Sequence, residues 1–230
     1  MTSQEQYLLP GTIIDSDSTE VISYTESILE GKEITDVEKA VLLYYHIRDG
    51  IRYDPYIPFY RPEHYRSSGV IKSGKGFCIQ KAGLLCAAAR VAGIPSRIGF
   101  ATVKNHIATK QFTEYLGSNI IAPHGYSELW LEGKWVKATP AFNADLCRHF
   151  RVKPLNFNGH DDSIMHEFNS DNNKFMEYLS YHGEFQDIPL DIILNIMKET
   201  YGEERVSSWI AELEKADGGS WRDFSAEDIA

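Results

Sequence analysis

The sequence places a cysteine where a helix is expected to begin. Cys78 follows a Gly-Lys-Gly segment and opens the run CIQKAGLLCAAARVAG, whose composition predicts a helix that ends at Gly93 and Pro95. The first turn of a helix offers unpaired backbone N–H groups and the positive end of the helix dipole, and both favour thiolate over thiol. We therefore expect Cys78 to be a nucleophile with a pKa below the usual cysteine value of about 8.5.

A second segment supplies a candidate base. The run HGYSELWLEGKW, residues 124–135, is typical of a β-strand that opens on His124. A histidine on a strand that faces a cysteine on a helix can take the thiol proton and later return it to a leaving amine. His106 is the nearest alternative base, although its surroundings predict a loop.

The strand that opens on His124 is predicted to continue into a β-hairpin. Glu132-Gly133 between two alternating runs suits a two-residue turn. The register that this turn sets places an aromatic pair and an opposite-charge pair directly across the strands, namely Trp130 with Trp135 and Glu128 with Lys137. Continued further, the register pairs Tyr126 with Thr139 and His124 with Ala141. Thr139 then lies one diagonal step from His124, within reach for orienting its imidazole.

Composition narrows the class of protein. The 230 residues, 43% of them hydrophobic, suffice for a single enzyme-sized domain. The net charge of −10 argues against nucleic acid and anionic membrane as partners. The first fifteen residues do not resemble a signal peptide and no apolar run is long enough to span a membrane, so we expect a cytoplasmic protein.

The three cysteines, Cys78, Cys86 and Cys147, lack C-x-x-C spacing, which argues against a disulfide framework and against zinc. Cys86 and Cys147 are interpreted as buried structural thiols. His160, Asp161, Asp162 and His166 lack regular ligand spacing and predict a solvated loop. We therefore expect no metal and no cofactor.

Hydrophobic periodicity predicts an α+β chain with helices first and last. The expected helices cover residues 18–30, about 36–50 with Asp36 as the cap, 78–92, 173–182, 190–201 and 204–215, and the expected strands cover 96–102 and 124–138. Residues 51–68, which are rich in proline and aromatic side chains, predict an ordered loop. Its tyrosines 53, 56 and 60 are expected mainly to pack, although one hydroxyl could help to bind an oxyanion.

Taken together, GFCIQKAGLLCAAARVAGIPSR and HGYSELWLEGKWVKATP resemble the transglutaminase-like superfamily of microbial, papain-fold cysteine hydrolases over roughly residues 41–140. The resemblance implies a catalytic helix packed on an antiparallel sheet, with Cys78 as nucleophile and His124 as base. It also implies one domain over residues 1–230, with a core at about 36–145 and a C-terminal helical extension, 146–230, packed on that core.

The third catalytic position of the family, usually Asp in a W-x-x-x-D-P context, corresponds to Thr139 of WVKATP. A threonine hydroxyl can accept the imidazole N–H but adds no negative charge to stabilise imidazolium, although papain-like enzymes use a neutral Asn. Asn143 and Asp145, just beyond the strand, are alternative orienting groups.

The resemblance predicts hydrolysis of an amide bond in a peptide or small amide through a thioester on Cys78, with the Cys78 N–H in the oxyanion hole. Transfer of the acyl group to an amine uses the same intermediate and stays open. A catalytically silent peptide-binding module of the same fold also stays open, because Thr139 replaces the usual acid.

Overall fold

Two helices begin the fold in the computed structural model, which describes residues 4–105, 109–164, 176–216 and 222–227. Helix α1 spans Thr19–Leu29 and α2 spans Asp36–Gly50. The cap of α2 is Thr35 rather than the expected Asp36. Thr35 accepts a hydrogen bond from the Glu38 N–H while the Glu38 carboxylate accepts one from the Thr35 N–H, so the two residues satisfy each other's backbone donors.

The segment expected to be an ordered loop contains little regular structure. Within residues 51–68 the chain forms the short strand β1, Arg52–Tyr53, and starts helix α3, Ser67–Ser73. Strand β2, Lys75–Gly76, pairs in parallel with β1. This pairing fixes the backbone immediately before Cys78.

Helix α4, Cys78–Val91, lies at the centre of the molecule and is buried along nearly its whole length. Its small residues allow α1, α2, α3 and the sheet to pack closely around it. Lys81 is fully buried on this helix, and its ammonium group donates to the Arg48 and Ile51 carbonyls at 2.8 and 2.6 Å. Burial lowers the pKa of Lys81 well below its usual value.

A four-stranded antiparallel sheet packs against α4. Its strands are β3 (Ser96–Asn105), β4 (Ile120–Leu131), β5 (Lys134–Ala138) and β6 (Met176–Phe185), in the order β5-β4-β3-β6. Strand β4 therefore lies inside the sheet, with a neighbour on each side. The expected α+β class is confirmed.

The predicted hairpin register is confirmed over the regular part of the β4–β5 pair. Trp130 faces Trp135 and Glu128 faces Lys137, and the second pair forms an ion pair at 2.7 Å. The described ladder ends where Ser127 faces Ala138. The expected continuation to Thr139 is not formed, because the Thr139 N–H donates to the Ser163 carbonyl instead.

The prediction of a helix over residues 173–182 is wrong for residues 176–182, the part that the structure describes. Residues 176–185 form β6 along the free edge of β3. A short run that contains aromatic residues does not distinguish helix from strand by periodicity, and the open edge of β3 offers backbone partners that decide the outcome. The region after residue 145 is thus not purely helical.

Four further helices lie outside this core of α4 and sheet in the described part of the chain. They are α5 (Lys110–Leu116), α6 (Ala144–His149), α7 (Leu190–Tyr201) and α8 (Glu203–Lys215). The sequence predicted α7 and α8 closely but not α5 or α6, which are each less than two turns long and carry little periodic signal. Among the described residues, no helix is long and apolar enough to cross a membrane.

Candidate active site

Cys78 is the first residue of α4, as the sequence predicted. The Gln80 side chain accepts a hydrogen bond from the Phe77 N–H at 3.0 Å and donates to the His64 carbonyl at 2.6 Å. These bonds tie the start of the helix to the preceding loop. The Cys78 side chain is buried, and the residue is only 4% exposed.

Strand β4 passes directly over the start of α4. A β-carbon on Gly125 would lie 2.7 Å from Cα of Ile79, so only glycine permits this approach. Two residues further on, Ser127 Oγ donates to the Ala82 carbonyl at 2.9 Å. Because Gly125 follows His124 and Ile79 follows Cys78, the packing brings the two candidate catalytic residues to neighbouring positions.

The thiol of Cys78 is held neutral. Burial raises the pKa of Cys78 to about 11, while the backbone N–H groups of Gly125, Ile79 and Cys78 itself act in the opposite direction and only partly offset it. The expected low pKa is therefore wrong for this structure, because desolvation outweighs the donors at the start of the helix. Any attack by this thiol needs a base at the moment of reaction.

His124 is buried in β4 and is 2% exposed. Burial lowers the pKa of His124 to about 4, so the imidazole is neutral at neutral pH and can accept a proton. Its Nε2 has no hydrogen-bond partner among the described residues. The ring lies 6.3 Å from that of Tyr178, centroid to centroid, and no hydrogen bond in the described part joins it to Cys78.

Thr139 lies just beyond β5, and its backbone is fixed on both sides. Its N–H donates to Ser163 O at 3.0 Å and its carbonyl accepts from the Tyr44 hydroxyl at 3.2 Å. Its Oγ1 is buried and, within the described ranges, has no hydrogen-bond partner. The two atoms that the family pattern would join, His124 Nε2 and Thr139 Oγ1, are thus both buried and both without a partner.

The alternative orienting residues make other contacts. Asn143 accepts from the Tyr53 N–H at 2.7 Å and donates to the carbonyls of Ile51, at 2.8 Å, and of Arg48. Its amide is therefore occupied by backbone groups of the last turn of α2 and of the segment that follows it. Asp145 is exposed and forms an ion pair with Arg148 one turn along α6.

The tyrosines near the thiol only partly match those that the sequence singled out. Tyr53 lines the cavity that contains Cys78, but the Tyr56 hydroxyl donates to Glu227 at 2.6 Å. Sequence reasoning missed Tyr65 and Tyr201. Burial raises the pKa of each, and ionisation of the nearby Cys78 thiol would raise it further. No local signal identified them, because the fold alone brings them to α4.

An apolar cavity of about 70 Å³ opens onto Cys78. Its wall includes Ala122 and Pro123 of β4, the two residues before His124, together with aromatic side chains from the loop after α2 and from α5, α7 and α8. The cavity offers a substrate carbonyl a path to the thiol. The described residues thus bring together a buried thiol, a neutral imidazole and an apolar surface.

The remaining candidates do not form a site in the described part of the chain. His160 Nδ1 lies 3.0 Å from the Glu132 carboxylate, and Asp162 accepts from the Lys137 N–H at 2.9 Å. His106 and His166 lie outside the described residues. No group of three or more His, Cys, Asp or Glu side chains among the described residues could hold a metal ion. Cys86 and Cys147 are free and buried, as expected.

Comparison with known proteins gives a family and two similar structures. The model of the transglutaminase-like superfamily matches residues 22–140. A candidate cysteine protease from Cytophaga hutchinsonii is 14% identical, with a TM-score of 0.47 over 80% of this chain and 55% of that one. A candidate protease from Parabacteroides distasonis ATCC 8503 is 19% identical, with a TM-score of 0.39 over 55% of this chain and 24% of that one. The chain thus spans little more than half of the first structure and a quarter of the second. No curated protein matches the sequence.

Proposed function

The chain belongs to the transglutaminase-like superfamily, and on this basis we propose that it hydrolyses an amide bond of a peptide or small amide through a thioester on Cys78. His124 is the base. The observation that carries the proposal is the backbone contact between Gly125 and Ile79, which holds the base next to the first turn of the helix that bears the thiol.

The chemistry starts from two neutral groups. As Cys78 Sγ bonds to the substrate carbonyl carbon, its proton passes to His124, and the carbonyl oxygen becomes an oxyanion. The Cys78 N–H at the start of α4 donates to that oxyanion, and the Tyr53 hydroxyl is a second candidate donor. Because the cavity is apolar, each of these hydrogen bonds is stronger than it would be in water.

The second half of the cycle returns the proton. The C–N bond breaks as the His124 imidazolium protonates the leaving amine, which leaves an acyl thioester on Cys78. A water molecule then attacks the thioester with His124 as base, and the acid departs as the thiol is restored. If an amine takes the place of that water, the same intermediate yields acyl transfer.

One observation favours a second candidate function. His124 Nε2 and Thr139 Oγ1 both lack partners among the described residues, and the pKa of Cys78 is raised. A site that had lost the acid of the family pattern would show these features. The second candidate is therefore a catalytically silent module that binds peptides in the same cavity.

Turnover of a fluorogenic peptide-amide library separates the two candidates. We expect the wild-type protein to release the fluorophore and Cys78→Ser and His124→Gln to reduce release by at least about 100-fold, because each removes a group that takes part in bond making. His160→Gln is the matched control, since the His160 side chain is exposed and pairs with Glu132, away from the cavity. Binding without turnover, equal in all four proteins, would favour the silent module. Adding an amine and analysing the products separates transfer from hydrolysis.

A further inference from the structure

We infer that the cavity at Cys78 selects substrates whose acyl group carries an uncharged, apolar side chain, aliphatic or aromatic. The inference rests on the proposed function, because it names the substrate class of that same site. It is carried by the chemistry of the cavity wall. Three helices contribute to that wall: α5 with Phe112, Tyr115 and Leu116, α7 with Met197 and Tyr201, and α8 with Trp209.

None of the described residues that line the cavity carries a charged side chain. The polar atom at the tip of Tyr201 is turned away from a ligand, because its hydroxyl accepts from the Ala122 N–H at 2.9 Å and donates to the Ile120 carbonyl at 3.0 Å. These two bonds fix the end of α7 across β4 just before His124. The ring of Tyr201 is thus presented to the cavity as carbon surface.

Trp209 of α8 forms part of the cavity wall. Its ring stacks on Tyr115 at 4.8 Å and meets the edges of Tyr201 and Phe59 at 5.2 and 6.4 Å. The residue is buried, so this cluster is fixed by packing on several sides. A rigid aromatic wall suits a flat or branched apolar side chain better than a flexible polar one.

Charged side chains lie on the other side of this wall. Tyr115 and Trp209 also border a separate, more open groove, whose remaining residues include Glu204, Arg205 and Glu212. The aromatic pair therefore separates a charged groove from the apolar cavity. A charged acyl side chain in the cavity would lose its hydration without gaining an ion pair, which is costly.

Part of the cavity wall comes from outside the region that matches the family model. Helices α7 and α8 lie beyond residue 140, where the family match ends. They supply Met197, Tyr201 and Trp209, the part of the wall that faces the thiol from the C-terminal region. The residues that we expect to determine the substrate preference therefore lie outside the catalytic motifs.

Paired p-nitrophenyl esters of similar length test the inference. Hexanoate is compared with 6-aminohexanoate, and 3-phenylpropionate with 3-(4-carboxyphenyl)propionate, by the rate of the first release of p-nitrophenol after subtraction of the rate for Cys78→Ala. We expect each uncharged ester to acylate Cys78 at least about tenfold faster than its charged counterpart, the scale on which pockets discriminate between side chains. Equal rates within both pairs would overturn the inference while leaving the proposed nucleophile intact.

A charge placed in the wall sharpens the test. Met197 is partly exposed on α7, so Met197→Glu should fold and should shift the preference towards 6-aminohexanoate by about tenfold. Ile192→Glu is the matched control, because Ile192 is 41% exposed on the same helix and does not line the cavity. The same shift in both variants would contradict the assignment of Met197 to the wall.

A second readout needs no catalysis. Hexanamide and 6-aminohexanamide are compared for protection of Cys78 from iodoacetamide at pH 9, with the modified residue identified by mass spectrometry. Protection by hexanamide but not by 6-aminohexanamide supports the inference, even if no ester acylates Cys78. A complete lack of acylation would refute the proposed function but not the inferred selectivity of the cavity. Equal protection by both amides, or protection by neither, would overturn the inference.

Discussion

Gly125 and Ile79 are in backbone contact, because a β-carbon added to Gly125 would lie 2.7 Å from the Ile79 Cα. Gly125 directly follows His124 in β4, and Ile79 directly follows Cys78 in α4. The backbone segments that carry the candidate base and the candidate nucleophile are therefore held against each other by main-chain packing. Cys78 and His124 are both buried, so the two candidate residues are also removed from water.

Gly125→Ala should push β4 away from α4. We expect the free energy of unfolding to fall by about 1–3 kcal/mol, the usual cost of overpacking, and turnover to fall further than this loss of stability explains. Urea denaturation and kinetics on the folded variant measure the two effects. Gly50→Ala is the control, since its added methyl group would meet nothing within 4 Å. A Gly125→Ala protein with normal stability and turnover would show that the contact does not align the site.

The buried imidazole makes stability depend on pH. The pKa of His124 is lowered to about 4 in the folded chain, whereas in the unfolded chain it is about 6.5. The unfolded state therefore binds a proton that the folded state does not. Stability is intact above pH 6.5 and should fall by about 3 kcal/mol as the pH drops from 6.5 towards 4.

Urea denaturation of the wild type and of His124→Gln across that pH range measures this contribution. The free energy of unfolding of the wild type should fall relative to that of the variant as the pH falls, because glutamine does not titrate. The difference between the two free energies should therefore shrink or change sign in favour of the variant. Parallel curves for the two proteins from pH 7 to pH 4.5 would mean that His124 accepts a proton without cost in the folded state.

Thr139 tests how the imidazole is oriented. Its Oγ1 is buried without a partner in the described part, so Thr139→Val should leave the free energy of unfolding unchanged or slightly raised. If the hydroxyl engages His124 during turnover, Thr139→Val lowers the rate by tenfold or more, and Thr139→Asp retains or raises it. Turnover of Thr139→Val equal to that of the wild type would remove Thr139 from the catalytic set.

Asn143 should matter for a different reason. Its side chain makes three hydrogen bonds to backbone groups of Tyr53, Ile51 and Arg48. We expect Asn143→Ala to cost about 1–3 kcal/mol of stability, because buried backbone groups lose their partners. Asp145→Ala, at an exposed ion pair on α6, should change little. A stable Asn143→Ala protein with strongly reduced turnover would point instead to a direct role in orienting His124.

The local parts of the site were predictable from the sequence. The Gly-Lys-Gly segment and the following small residues located the start of α4, and the Glu132-Gly133 turn fixed the register of the β4–β5 hairpin. These features depend on neighbours in sequence. Turn chemistry and cross-strand pairing act over a few residues and so remain readable.

The electrostatics and the cavity were not predictable in this way. The position of Cys78 on its helix suggested a low pKa, but burial beneath β4 and the surrounding helices reversed the direction. Tyr201 and Trp209 come from helices more than a hundred residues away in sequence, and nothing near Cys78 indicates that they face it. Burial is a property of the assembled fold, so a local pattern does not report it.

The pairing of β6 shows the same limit. Residues 176–185 carry no pattern that distinguishes a strand from a short helix, and the free edge of β3 decides between them. Strand β6 covers one edge of β3, and the other edge of β3 pairs with β4, the strand that carries His124. The C-terminal region thus contributes to the setting of the site through both its helices and this strand.

The most direct test of the central claim is mass spectrometry of the intact protein during reaction with p-nitrophenyl 3-phenylpropionate. We expect one acyl group, located on Cys78 rather than on Cys86 or Cys147. It should form at least about 100-fold more slowly in His124→Gln than in the wild type or in His160→Gln. Acylation of all three cysteines at similar rates, or acylation of Cys78 at the same rate without His124, would contradict the central claim.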